Sequence, residues 1–150
     1  MKNLTMIPAL FLTACSAPGL SGGSFYANWD AEEVEAFDAA AAEICEAFPG
    51  ECGKITIKHM NKIRGSGPSY GRSFDTGFAN IYTDEIANRG QTWGPDLLRV
   101  TFVHESVHLL GCWEHLPADL NGVMRSGPSE SARHLTQNDI AHCCAQIESC

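Results

Sequence analysis

Basic side chains are scarce in this 150-residue chain: 10 lysines and arginines stand against 18 acidic residues, for a formal net charge of −8. Nucleic acids and anionic lipid headgroups are recognised by a positively charged face, so both are excluded as partners of a basic patch. Internal repeats and low-complexity tracts are missing, and no apolar run is long enough to cross a bilayer as a permanent helix. The glycines between Asn61 and Thr76 lack the spacing of a phosphate-binding loop, and no dense calcium-loop pattern occurs. At this length one hydrophobic core, and so one domain, is expected.

Cysteine, by contrast, is abundant, with seven residues, an odd number that leaves one thiol outside any set of pairs. At the N-terminus Met1, Lys2 and Asn3 lead into an apolar stretch from Leu4 to Leu12 that stops at small residues, the layout of an export signal. Its ending, Leu12-Thr13-Ala14-Cys15, resembles a bacterial lipoprotein box, which implies cleavage before Cys15 and diacylation of its sulfur. Ser16 resembles the context that sends lipoproteins of two-membrane bacteria to the outer membrane. The expected organisation is a signal peptide over residues 1–14, a lipidated cysteine and Gly/Ser-rich tether over 15–29, and a folded domain over 30–150. Cys15 is then the odd thiol, and an extracytoplasmic compartment lets the other six pair. Cys45 and Cys52 flank a helix end and can close a short loop. Cys112, Cys143, Cys144 and Cys150 would tie the middle of the domain to its C-terminal part, with the adjacent pair bonding to different partners.

Asp30 can cap a helix over residues 31–48, where Val34, Phe37, Ala41, Ile44 and Phe48 recur at helical spacing until Pro49-Gly50. Residues 54–60 alternate and read as a strand, with His59 at a surface or ladder position rather than as a ligand. Residues 61–76 read as a flexible rim or connector, and residues 77–83 as a second strand ending at Asp84-Glu85. From Leu97 to Val103 an apolar helical approach runs without a breaker into the most informative segment, His104-Glu105-Ser106-Val107-His108-Leu109-Leu110-Gly111-Cys112-Trp113-Glu114-His115.

On a helix, His104 and His108 lie on one face, so two imidazoles can hold one zinc ion while Glu105 stands beside them as a base. A catalytic zinc site has three protein ligands and an open position for water. Gly111 can take the left-handed conformation that ends the helix and returns the chain toward the metal. His115 is the natural third ligand, Glu114 its close rival, and Asp119, Glu130 and His134 more distant ones.

These residues resemble the metzincin clan of zinc metallopeptidases, and in particular its compact matrixin-like domains. His104, Glu105, His108 and Gly111 match the first four fixed positions of the clan pattern His-Glu-x-x-His-x-x-Gly-x-x-His/Asp. The fifth position departs: Glu114 occupies it and the histidine comes one residue late, which requires a bulged turn or carboxylate ligation. Asn121-Gly122-Val123-Met124 looks like the clan's methionine turn, with Met124 beneath the metal. Pro128 and Ser129 would continue into the wall of the primed-side specificity pocket. Leu135 to Ile140 resembles the start of the final helix, where Thr136 and Asp139 can form a capping box and His142 is structural or exposed. The resemblance implies an α+β fold, a twisted mixed sheet with an active-site helix and a C-terminal helix, in which Phe78 to Thr83 is the cleft-side edge strand.

The activity so implied is zinc-dependent endopeptidase chemistry, in which Glu105 accepts a proton from zinc-bound water and delivers it to the leaving amine. No Tyr or Arg is assigned to the oxyanion. The alternative is a non-catalytic zinc-binding module of the cell envelope in which Glu114 and His115 both ligate. Either would be a lipid-anchored, extracytoplasmic monomer; the enzyme's partner is a peptide or protein substrate.

Overall fold

The computed structural model describes residues 29–64, 69–89, 96–127 and 131–150. The signal, Cys15, most of the tether, and Pro128, Ser129 and Glu130 lie outside them. The elements run α1 (Ala31–Ala47), β1 (Met60–Ile63), β2 (Gly71–Phe74), β3 (Phe78–Tyr82), α2 (Thr83–Arg89), α3 (Asp96–Leu109) and α4 (Gln137–Cys144). The class is α+β. Among the described residues no helix is long and apolar enough to cross a membrane.

Helix α1 starts at a reciprocal capping box, in which the Glu33 N–H donates to Asp30 Oδ1 and the Asp30 N–H to Glu33 Oε2, both at 2.9 Å. It ends at Pro49, which has no N–H to continue the ladder. Its buried face, Phe37, Ala40 and Ile44, lies against α3, where Phe102 receives Phe37 and Trp29 edge-on at ring-centroid distances of 5.3 and 5.4 Å. Trp29, at the end of the expected tether, therefore belongs to the core. Its indole N–H donates to the Met60 carbonyl at 3.3 Å.

Strand order is β1-β3-β2, with β1 parallel and β2 antiparallel to β3. This corrects three expectations. Residues 54–60 do not form a strand, because the Thr56 N–H donates to His59 Nδ1 and the His59 N–H to the Thr56 carbonyl, closing a local 3₁₀ turn that competes with extension. Their alternation is overridden, and β1 starts only at Met60. Within residues 61–76, expected as a connector, Asn61 to Ile63 and Gly71 to Phe74 pair with β3, so tertiary pairing decides against weak local preference. Finally β3 is central rather than at the edge. Its buried residues Ala79 and Ile81 face the core, and β1 and β2 are the outer strands of this sheet. Gly77, at φ 86°, supplies the left-handed residue of the three-residue hairpin between them.

Helix α3 lies between α1 and the sheet, and from Val100 to His108 every residue but His104 is buried. Arg99 reaches Glu43 of α1, whose other oxygen accepts the Leu135 N–H at 2.6 Å, fixing the approach to α4. Three disulfides follow: Cys45–Cys52 closes the end of α1, Cys112–Cys143 joins the turn after α3 to α4, and Cys144–Cys150 closes the last turn. The adjacent cysteines thus take different partners, as expected.

Candidate metal centre

Helix α3 ends at Gly111, whose φ of 113° is the left-handed stop expected there. The Gly111 N–H donates to the His108 carbonyl at 2.9 Å and the Cys112 N–H to the Val107 carbonyl at 3.3 Å, the paired bonds of a Schellman ending. That ending turns the chain so that Cys112 offers its own carbonyl to His108 Nδ1 at 2.6 Å. On the opposite side His104 Nδ1 lies 2.8 Å from the Val123 carbonyl. A carbonyl only accepts, so both Nδ1 atoms carry the proton and both Nε2 atoms present lone pairs.

Those lone pairs converge. His108 Nε2 lies 3.0 Å from His104 Nε2 and 3.3 Å from His115 Nε2. Three nitrogens bound at about 2.0–2.1 Å to a tetrahedral ion would be spaced by about 3.3 Å. Facing lone pairs of His104 and His108 repel unless a cation sits between them, and neither nitrogen has a proton to offer the other. Burial, first of all, holds all three imidazoles below the usual histidine range, with the neighbouring rings adding to it for His104, which falls to about 3. They are neutral at pH 7, and the group could hold a metal ion.

Glu114, the rival third ligand, is outside this group among the described residues, and its side chain points into solvent. Asp119 and His134 are likewise exposed and outside it, the latter 3.2 Å from Glu43. His59 is held by Thr56, away from the cluster.

No protein-family model, curated protein or solved structure matches the chain. The chemistry of the centre therefore rests on its own residues.

Glu105 is buried in the same cleft, a cavity of about 320 Å³ whose walls include β2, α3, Trp113, His115 and the segment from Arg125 to Gly127. Burial pushes its carboxyl up to about 7, against the opposing hydrogen bonds from Ser73. The Ser73 hydroxyl donates to Glu105 Oε2 at 2.6 Å. Gly71 allows this closeness, because a Cβ there would lie 2.5 Å from Glu105 Oε1. Both residues sit in the segment read from sequence as a connector, where one glycine among three in a polar run gives no sign of a carboxylate above it.

Met124 is fully buried, in a turn that Asp139 grips. Asp139 accepts the Val123 N–H at 3.0 Å and the Met124 N–H at 2.8 Å while also completing the α4 capping box with Thr136. The box was legible in sequence; the grip was not. Gly122 makes room for it, since a Cβ there would fall 2.2 Å from Asp139 Oδ1.

Proposed function

We propose that the chain is a zinc-dependent endopeptidase of metzincin type. One observation carries this: three neutral imidazoles, two of them fixed as Nδ1–H tautomers, converge through Nε2 beside a buried carboxyl held by Ser73. Three imidazole nitrogens leaving an open position are a donor set suited to catalytic zinc. A divalent ion held there supplies Lewis-acid polarisation of a carbonyl and makes water more acidic.

The protein's own groups supply the rest. With its carboxyl at about 7, Glu105 can accept a proton from water near neutral pH and return it to the leaving amine. Ser73 holds one carboxylate oxygen and so fixes the direction of the other. Residues 71–73 of β2, an outer strand, line the cleft, where an extended peptide can add as a strand by displacing the Ser69 hydroxyl from the Gly71 carbonyl. A mixed sheet against α3, the Met124 turn and a C-terminal helix are consistent with the proposed fold. The exposed Glu114 argues against a closed four-ligand site. Export and anchoring through Cys15 belong to the same proposal, and intact mass of the membrane-extracted protein tests them.

The deciding experiment pairs metal content with hydrolysis of an unfolded protein. Wild type should bind one zinc and cleave; Glu105→Gln should keep the zinc and lose at least about 100-fold in turnover. Equal turnover in the two would remove Glu105 from the chemistry.

A further inference from the structure

The chain departs from the metzincin spacing at one point, the extra residue between Gly111 and the third histidine, and the structure places α4 directly behind that departure. Glu114 is the residue that must be absorbed for His115 to arrive at the centre. Its backbone is held on both sides: its N–H donates to Gln146 Oε1 at 3.1 Å, and its carbonyl accepts from His142 Nε2 at 2.9 Å. Two residues earlier Cys112 is bonded to Cys143. His142, Cys143 and Gln146 occupy one face of α4 and its following turn, at the i, i+1 and i+4 positions of a helical repeat, and Asp139 extends the same face one turn back. A face that would ordinarily be apolar is instead a row of groups that grip the two loops behind the metal ligands.

We propose that His142 and Gln146 are positioning residues for the third ligand: by clamping the Glu114 peptide they hold the longer loop in the bulged form that turns Glu114 outward and delivers the His115 imidazole to the centre. The inference rests on the metal-binding reading of the three histidines. Chemically it follows from the donor and acceptor types. The Glu114 carbonyl only accepts, so His142 carries its proton on Nε2, and the Gln146 amide nitrogen 3.2 Å from it turns its own hydrogens to the Cys112 sulfur and the His142 carbonyl, both at 3.5 Å. The Glu114 N–H requires an acceptor, which fixes the Gln146 amide with Oε1 toward the loop. Both clamps lie on half-buried side chains, His142 on α4 and Gln146 in the turn after it, so either can be removed without opening the core.

The test is competitive titration of the metal-free, disulfide-intact protein with Zn²⁺ against a chelator, together with the visible spectrum of the Co²⁺-loaded form. His142→Ala and Gln146→Leu should each weaken metal binding about tenfold and the double variant about 100-fold, the range for loss of groups that orient ligands. The Co²⁺ spectrum should shift toward weaker, less tetrahedral coordination. Gln146→Glu, which keeps the acceptor, and His142→Gln, which keeps a donor, should restore most of the affinity. In a His115→Ala background the same substitutions should have no further effect, because the ligand they position is gone. Full affinity in the double variant, or an equal further loss without His115, would overturn the inference while leaving the centre intact. If the wild-type chain takes up no ion, the metal reading and the inference fall together.

Discussion

Adding one methyl group at Gly71 tests how closely the edge strand must approach the proposed base. An alanine Cβ there would lie 2.5 Å from Glu105 Oε1, 2.6 Å from its Cγ and 2.7 Å from its Cδ, whereas ordinary contact begins at 3.4 Å. Either β2 or the carboxyl must retreat by nearly 1 Å. Retreat of either stretches the 2.6 Å bond from Ser73, a bond to a charged acceptor worth about 1.5–3 kcal/mol. A displacement of this size at a reacting group lowers turnover by roughly 100-fold. The overpacking itself should cost about 1–3 kcal/mol, or roughly 4–12 °C in Tm. Gly77→Ala is the control. It meets nothing within 4 Å but sits at φ 86°, so it should lose about 1 kcal/mol of stability and no activity in the folded protein. Steady-state kinetics at matched zinc occupancy, with thermal melts of both variants, separates the effects. Turnover within twofold of wild type in Gly71→Ala would refute the idea that this close approach sets the base.

Four further outcomes are expected. Trp29→Ala should lose about 3–5 kcal/mol in denaturant melts, because the indole packs on Phe102 and is buried, whereas a tether residue would lose nothing measurable. Without the Cys112–Cys143 link, which spans 31 residues, the double Cys→Ser variant should be less stable by roughly 3–4 kcal/mol and should also bind zinc more weakly, since Cys112 holds His108. Asp139→Asn should weaken zinc binding about 10- to 100-fold through Val123 and His104; an unchanged chelator titration would disconnect the turn from the ligand. Metal-free protein should lose stability as pH falls below about 6.5, because the unfolded chain binds protons that the folded imidazoles, His104 at about 3, refuse. Glu105, raised from 4.5 to about 7, acts in the opposite sense between those values, so the histidine slope is best read in Glu105→Gln. Replacing His104 by Gln should flatten that slope of Tm against pH, and an unaltered slope would assign it elsewhere.

The parts of the fold legible in the sequence are those written in local chemistry. Asp30, Thr136 with Asp139, and Gly111 mark helix ends through bonds among near neighbours, and each does so in the structure. His104 and His108 share a helix face by periodicity alone. What escaped depends on partners distant in the chain. The sheet is built from a polar segment whose strands exist only because β3 accepts them on both sides, and Ser73 meets Glu105 across 32 residues. The proposed choice of His115 over Glu114 rests on Gln146, 32 residues beyond Glu114. No spacing rule near the motif could have supplied it.

The order of ligands and braces along the chain has a consequence for synthesis. All three histidines lie between residues 104 and 115, and apart from Cys112 the residues that brace them, Val123, Asp139, His142, Cys143 and Gln146, come later. At about 5–20 residues per second, roughly 2–6 s separate His115 from Gln146 on a ribosome. A growing chain therefore passes through an interval in which it has all three histidines but not the later residues that brace them. In that interval the proposed centre has no finished geometry in which to hold an ion; the proposed activity arrives with the last helix rather than with the motif.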